Sequence, residues 1–480
     1  MKKNKPNPGA NQSIRWFCAA VAVLFGAMAL YLAWFLASDS EAVINNPYNA
    51  RLSAFEERVI RGSILADDGT VLAQTVLASD SNGTPVERRE YPYGELFAHV
   101  VGYSTTGKTG IESLANFQLL RTHGNYLGNA MNELAGEKNT GDSVVTTLNL
   151  KLQQIASDAL GNRRGAVVAM EPKTGRILCM VSKPAFDPNT AAENWNDLIN
   201  GDSTEARLLN RATQGLYPPG STFKIITALQ YMREHPGTYN EYRFDCSGIF
   251  SYESYRLQCY HQNVHGDQNF TEAFANSCNG AFANLGLTLD LNGLRELSEQ
   301  LLFNRELPIS LPYSKSSYQM NADAGTWEIL QTSIGQGATL MSPMHNLLIM
   351  SAIANDGVLM TPYLIDRVEN SAGELVREYS PSVSSELMVP NEAAALKELL
   401  IQVVNEGTGS ALRRDSYQAA GKTGSAEFET GKETHAWFVG YAPVEDPQIA
   451  VCVIVEEAGS GGAVAAPIAA SLFDAWILGE

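Results

Sequence analysis

Ser221 and Lys224 stand three residues apart at the head of an apolar stretch, directly behind the turn formers Pro218, Pro219 and Gly220. Those residues cannot extend a helix upstream, so the sequence predicts a helix that opens at Ser221. It runs to about Glu234, where His235-Pro236-Gly237 stops it. Side chains at i and i+3 share a helix face, which lets the hydroxyl and the amine touch. Phe223, Ile225, Ile226, Ala228, Leu229 and Met232 make the helix apolar nearly all round, the pattern of a buried one. Burial disfavours an ammonium, so Lys224 is expected to be partly neutral near neutral pH and able to take the Ser221 proton. S-x-x-K also arises by chance as a helix start with a serine cap, so the pair alone decides little.

Strands and helices must hold that pair in place. The pattern predicts a strand at 143–148, a helix at 149–160, and strands at 165–170 and 177–182 joined by the turn Glu171-Pro172-Lys173-Thr174-Gly175. A polar connection at 183–215 leads into the serine helix. Residues 236–270 read as irregular and 270–289 as helical. A helix is expected near 342–355, a Ser-rich surface connection at 370–388 and a helix at 391–405. Strands at 435–441 and 449–455 and an apolar helix at 464–478 close the chain. The two strand groups are expected to join in a single antiparallel sheet within one mixed α+β domain, 141–480. Upstream, 39–60 reads as a polar stalk, Asp68-Gly69 as a hairpin turn and 111–135 as helical, giving a small α+β domain over 39–140.

Residues 1–38 contain no Asp or Glu; Lys2, Lys3, Lys5 and Arg15 precede an apolar run at 16–36. That run is long enough to cross a bilayer, and the preceding basic residues place the N-terminus in the cytoplasm and the rest of the chain outside. A cleaved signal peptide is the rival reading, but the run exceeds a usual signal core. A net charge of −18 argues against nucleic acid as a partner. No C-x-x-C pair or histidine cluster points to a metal, and no cofactor is expected. Cys246 and Cys259 flank a turn-rich segment, and a disulfide between them is left open. The other cysteines, Cys278 included, read as packing, and His261 and His435 as structural.

Ser277-x-Asn279 and Lys422-Thr423-Gly424 follow the serine motif in that order. The set S-x-x-K, S-x-N and K-T-G is the signature of class A β-lactamases and penicillin-binding proteins. Lys108-Thr109-Gly110 is a second K-T-G, but it precedes the serine and no aromatic strand follows it, so it reads as a turn. With Arg61-Gly62-x-Ile64, Gly165-Ala166-Val167-Val168, Thr174-Gly175, Asp187-Pro188-Asn189, Gly335-Gln336-Gly337 and Trp437-Phe438-Val439-Gly440, the chain resembles the class B penicillin-binding proteins. The likeness is to the short type with one membrane helix, and it runs from Arg61 to the end.

The resemblance implies a β-lactamase-like transpeptidase domain, with 39–140 as a pedestal or dimerisation domain. It implies a peptidoglycan D,D-transpeptidase in a bacterial cell membrane, with the catalytic domain outside. Stem peptides would be cross-linked through a serine acyl-enzyme, and β-lactams would acylate Ser221. In that scheme Ser221 attacks the carbonyl between two D-alanines, at a helix N-terminus that favours the developing negative charge. Lys224 is the base, Ser277 relays a proton to the leaving amine, and Asn279 orients Lys224 and binds the substrate amide. Lys422 supplies positive potential and Thr423 binds the terminal carboxylate. Gly424 lets the strand lie close to the substrate backbone. The amides of Ser221 and Ser425 form the oxyanion hole. A homodimer is possible, and a polytopic glycan polymerase of the shape-elongation-division-sporulation (SEDS) type is the expected partner. The rivals are a β-lactam hydrolase or carboxypeptidase of the same fold, disfavoured because no E-x-x-L-N segment is present, and a non-catalytic membrane scaffold.

Overall fold

The computed structural model describes residues 8–38, 58–79, 85–105, 107–124, 126–202, 204–429 and 431–479. Most of the expected stalk, 39–57, lies outside the described residues. The helix Pro8–Ser38 contains the apolar span Gln12–Phe35, of mean hydropathy 2.1, none of it buried by the rest of the chain. At 1.5 Å per residue, its 24 residues exceed the bilayer core of about 30 Å.

Five strands form one antiparallel sheet in the order Ala420–Ala426, His435–Ala442, Ile449–Val455, Gly165–Met170, Ile177–Lys183. Every residue of Ile449–Val455 is buried, because both faces of the sheet are covered. Side chains alternate between faces. Val451 and Val453 pack with Leu152, Ala156, Leu472 and Phe473 of the helices Leu150–Leu160 and Ala466–Ile477. Ala450, Cys452 and Ile454 face the other way, into the larger core around the helix Pro343–Ala354. That helix is buried on all sides, starts with proline and is capped by Ser342, whose oxygen accepts from the His345 amide.

A second sheet has the order Leu375–Glu378, Ile365–Glu369, Ser143–Thr146, Ile64–Leu65, Val71–Ser79, Pro85–Glu90. It takes strands from both sides of residue 140, and Ser143–Thr146 lies between Ile365–Glu369 and Ile64–Leu65. Beside it, the buried Glu112 receives Arg61 at 2.6 Å and Arg89 at 2.7 Å. Lys108-Thr109-Gly110 opens the helix Gly110–Leu114.

Several sequence readings are corrected. The helical stretch at 111–135 is broken into Gly110–Leu114, Asn116–Leu119 and Tyr126–Ala135. The stretch 370–388 contains the strands Leu375–Glu378 and Val383–Glu386. Residues 236–270 are not irregular but form nested hairpins. Arg243–Cys246 pairs with Gly266–Asn269 around the inner pair Ile249–Tyr252 and Tyr255–Gln258. Their polar, largely exposed strands carry no clear apolar alternation.

Candidate active site

Ser221 lies in a short 3-10 turn, Gly220–Phe223, that runs into the α-helix Lys224–Glu234. Side chains three apart eclipse in a 3-10 turn. Neighbouring segments hold this turn from several directions. Gly220 has φ 54°, a left-handed value that suits glycine, and its amide donates to Gly335 O at 2.8 Å. A Cβ on Gly335 would fall 2.0 Å from Gly220 O, so the Gly335-Gln336-Gly337 segment can press against the turn only as glycine. The Trp437 indole donates to Pro218 O at 3.0 Å. Tyr217 donates to Glu456, which Arg211 also holds.

The helical pattern at 270–289 is interrupted where the chemistry lies. Helix Phe270–Ala275 ends and Asn279–Gly286 begins, with Ser277 between them at φ 55°. A non-glycine residue in this region carries local strain, and here it turns Ser277 toward the lysines.

Lys224 and Lys422 are both fully buried. Lys224 Nζ donates to Ser277 O at 2.7 Å, Asn279 Oδ1 at 2.8 Å and Ser277 Oγ at 3.4 Å. Lys422 Nζ donates to Ser277 Oγ at 2.8 Å and to Thr423 O at 3.1 Å. None of these acceptors is a carboxylate. The rings of Phe282 and Phe274 lie 5.5 and 5.6 Å from the two ammonium groups and offset part of their charge. Burial pulls Lys224 down to about 8, against a weaker upward pull from Cys278 and Cys259. Burial, reinforced by the Lys224 charge, holds Lys422 well below the ordinary lysine value.

The spacing predicted a touching Ser221 and Lys224, but no hydrogen bond joins them among the described residues; the amine donates to the S-x-N segment. A neutral Lys224 keeps two N–H groups, enough for its two short bonds, and leaves its lone pair free.

Ser221, Ser277, Asn279, Thr423, Gly424 and Ser425 line one open cavity of about 1050 Å³, with the two lysines beneath its wall. Thr408, which the sequence reading passed over, also lines it and bonds Thr423 Oγ1 at 2.5 Å. Its only signal was the pair of flanking glycines. A Cβ on Gly407 would meet Ala275 O at 2.1 Å, so this loop needs glycine to approach the helix before Ser277. Gly424 packs against the serine turn as well as lining the cavity. Its Cβ would face Trp437 Cβ, Pro219 O and Thr222 Cγ2, so the missing side chain lets the strand lie against the serine turn.

Cys246 and Cys259 are free thiols with sulfurs 3.7 Å apart. The expectation that no ligand cluster exists rested on spacing along the chain. In the fold, Cys246, Cys259, His265 and Cys278 meet.

Residues 165–474 match the family described as penicillin binding protein transpeptidase domain, and residues 61–144 the penicillin binding protein A dimerisation domain. The peptidoglycan D,D-transpeptidase PbpA of Mycolicibacterium smegmatis is 31% identical over 95% of this chain and 97% of its own. The D,D-transpeptidase domain structure from Eggerthella lenta superposes with a TM-score of 0.77 at 32% identity, covering 88% of this chain and 99% of the other. The imipenem acyl-enzyme of penicillin-binding protein A from M. tuberculosis gives 0.78 at 30% identity, covering 89% of this chain and 100% of the other.

Proposed function

The chain belongs to the class B penicillin-binding proteins, and on that premise we propose how its residues carry out peptidoglycan D,D-transpeptidation. The enzyme cross-links stem peptides through a serine acyl-enzyme, and β-lactams acylate the same serine. Ser221 Oγ attacks the carbonyl between two D-alanines while its proton passes to neutral Lys224. The amides of Ser221 and Ser425 face the developing oxyanion. The C–N bond breaks, and Ser277, between the two lysines, relays a proton to the departing D-alanine amine. An amine from a second stem peptide then attacks the ester, the new amide forms, and the proton returns to Ser221. Lys422, Thr423 and Thr408 gather the terminal carboxylate, and Asn279 holds Lys224 and the substrate amide.

One observation carries this reading. A buried lysine with carboxylate-free partners sits one helical turn from a serine that opens into the cavity. The apolar N-terminal helix anchors the protein, and the positive-inside rule places the catalytic domain outside the cytoplasm. The region 39–140 acts as the pedestal through which a homodimer or a SEDS-type polymerase docks. The test labels the full chain in detergent with a fluorescent penicillin. Wild type should retain a stable adduct on the peptide containing Ser221, and Ser221→Ala none. Rapid release of hydrolysed drug, or a label elsewhere, contradicts the proposal.

A further inference from the structure

Gln336 reaches from its glycine-flanked turn to the end of the strand that lines the cleft. Gly335 and Gly337 have φ of 79° and 76°, left-handed values that suit glycine, and Gln336 N is tied back to Gln331 O at 2.9 Å. The side-chain amide meets both backbone groups of Glu427. Its Nε2 donates to Glu427 O at 2.9 Å and its Oε1 accepts from Glu427 N at 3.1 Å. The partners assign this orientation, since the reverse sets oxygen against oxygen and N–H against N–H. An amide that donates and accepts on one residue does what a residue of a neighbouring strand would do. Gln336 and Glu427 both line the cavity.

Ala420–Ala426 is an edge strand. One side pairs with His435–Ala442, and the other has no partner strand among the described residues. Alternate residues point their backbone groups to the same edge, so Thr423, Ser425 and Glu427, one residue past the strand end, share one. The contacts agree. Lys422 Nζ reaches Thr423 O at 3.1 Å, a Cβ on Gly220 would stand 3.2 Å from Ser425 O, and Gln336 reaches Glu427. A peptide can add to such an edge as a further strand. An antiparallel donor whose acyl carbonyl lies at the Ser425 amide exchanges one pair of bonds with Ser425. The next pair would join Glu427 to the donor residue two positions upstream, about 7 Å along the edge. Gln336 already fills that pair.

We propose that Gln336 is a specificity-determining residue that ends the donor subsite. The donor pairs with the strand at its acyl residue, and the residue two positions upstream is turned out of the cleft without being read. The inference rests on the transpeptidase reading, because it takes the Ser425 amide as part of the oxyanion hole. Only a short C-terminal segment of the stem peptide then contributes to recognition, and the rest leaves toward solvent. The stop is also built into the nucleophile's support. Gly220 N donates to Gly335 O at 2.8 Å, so the turn that presents Gln336 to the strand also holds the turn of Ser221.

The test uses the full chain in detergent and two synthetic donors. The first is acetyl-L-alanyl-L-lysyl-D-alanyl-D-lactate; the second is the same compound methylated on the L-alanine nitrogen, which removes the N–H that Glu427 O would accept. In each, the Ser221 Oγ–acyl bond forms, the ester to D-lactate breaks, and D-lactate leaves with the proton. Wild type should release D-lactate from both at second-order rates within about twofold. Gln336→Ala should favour the unmethylated donor by about fivefold, the usual worth of one net hydrogen bond, and through KM rather than kcat. The ratio is taken within each protein, so a general loss of activity in the variant leaves it unchanged. Wild type that prefers the unmethylated donor by about fivefold overturns the proposal even if the variant fails to fold. So does a folded variant that treats the two donors alike. Failure of the transpeptidase reading shows separately, as wild type that a fluorescent penicillin does not label at Ser221, and it overturns both.

Discussion

Replacing Gly424 with alanine separates two explanations of that glycine. The new methyl would lie 3.1 Å from Trp437 Cβ and 3.3 Å from both Pro219 O and Thr222 Cγ2. Relaxed carbon contacts are about 3.5–4.0 Å, so the strand and the serine turn must part by roughly half an ångström. None of the neighbours gives way easily. Trp437 is fully buried and donates to Pro218 O, while Thr222 bonds both Pro219 O and Asn346. Overpacking of this kind costs about 1–3 kcal/mol. At about 2 °C per kcal/mol for a large domain, the melting temperature should fall by roughly 2–6 °C. A 1 Å misplacement of reacting groups costs about a hundredfold in rate, so half that shift of Ser221 should slow acylation by about tenfold. The assay pairs thermal unfolding of the full chain with the second-order rate of labelling by a fluorescent penicillin. Slowed labelling with an unchanged melting temperature would refute the argument, because it would mean that the glycine makes room for substrate alone.

Lys224→Ala should lower the acylation rate by about 10²–10⁴-fold, the usual worth of a positioned base. In the wild type the neutral amine is the active form, so labelling should quicken as pH rises through about 8 and then level off; a rate flat from pH 6 to 9 would exclude Lys224 as the base. Burial alone would raise the Glu112 carboxyl, but the Arg61 and Arg89 charges outweigh it and hold its pKa below the ordinary value. Its stabilisation is therefore full above the unfolded carboxyl value and is lost as pH falls through the lower folded one. Glu112→Gln should cost about 3–5 kcal/mol near neutral pH, because it leaves two arginines without a buried anion. Denaturant melts that match wild type would contradict this.

The central sheet was legible because covering it on both faces requires continuous apolar runs, and Ile449–Val455 and Gly165–Met170 are such runs. The serine turn was legible from its prolines and glycine. The break at Ser277 was not, since Phe270, Phe274, Ala281 and Phe282 continue an apolar pattern across it while only the backbone leaves the helix. The nested hairpins escaped because pairing there rests on backbone bonds between polar residues. The thiol–imidazole cluster escaped for a related reason. Twelve residues separate Cys246 from Cys259, five separate Cys259 from His265, and twelve separate His265 from Cys278, so only the hairpin register brings them together.

The six-stranded sheet also determines where a mechanical load entering from the membrane side would go. Ser63 O and Leu148 O accept from Val144 and Asp67, which couples the chain after Arg61 directly to 143–148. Asn149 N then donates to Leu178 O, and the Thr147 hydroxyl to Ile177 O. Tension would therefore arrive at Ile177–Lys183, the edge strand farthest from Ala420–Ala426. Four strand spacings of about 4.8 Å lie between that edge and the cavity. The sheet can thus bear a tug on the tether while the serine and its lysines keep their alignment.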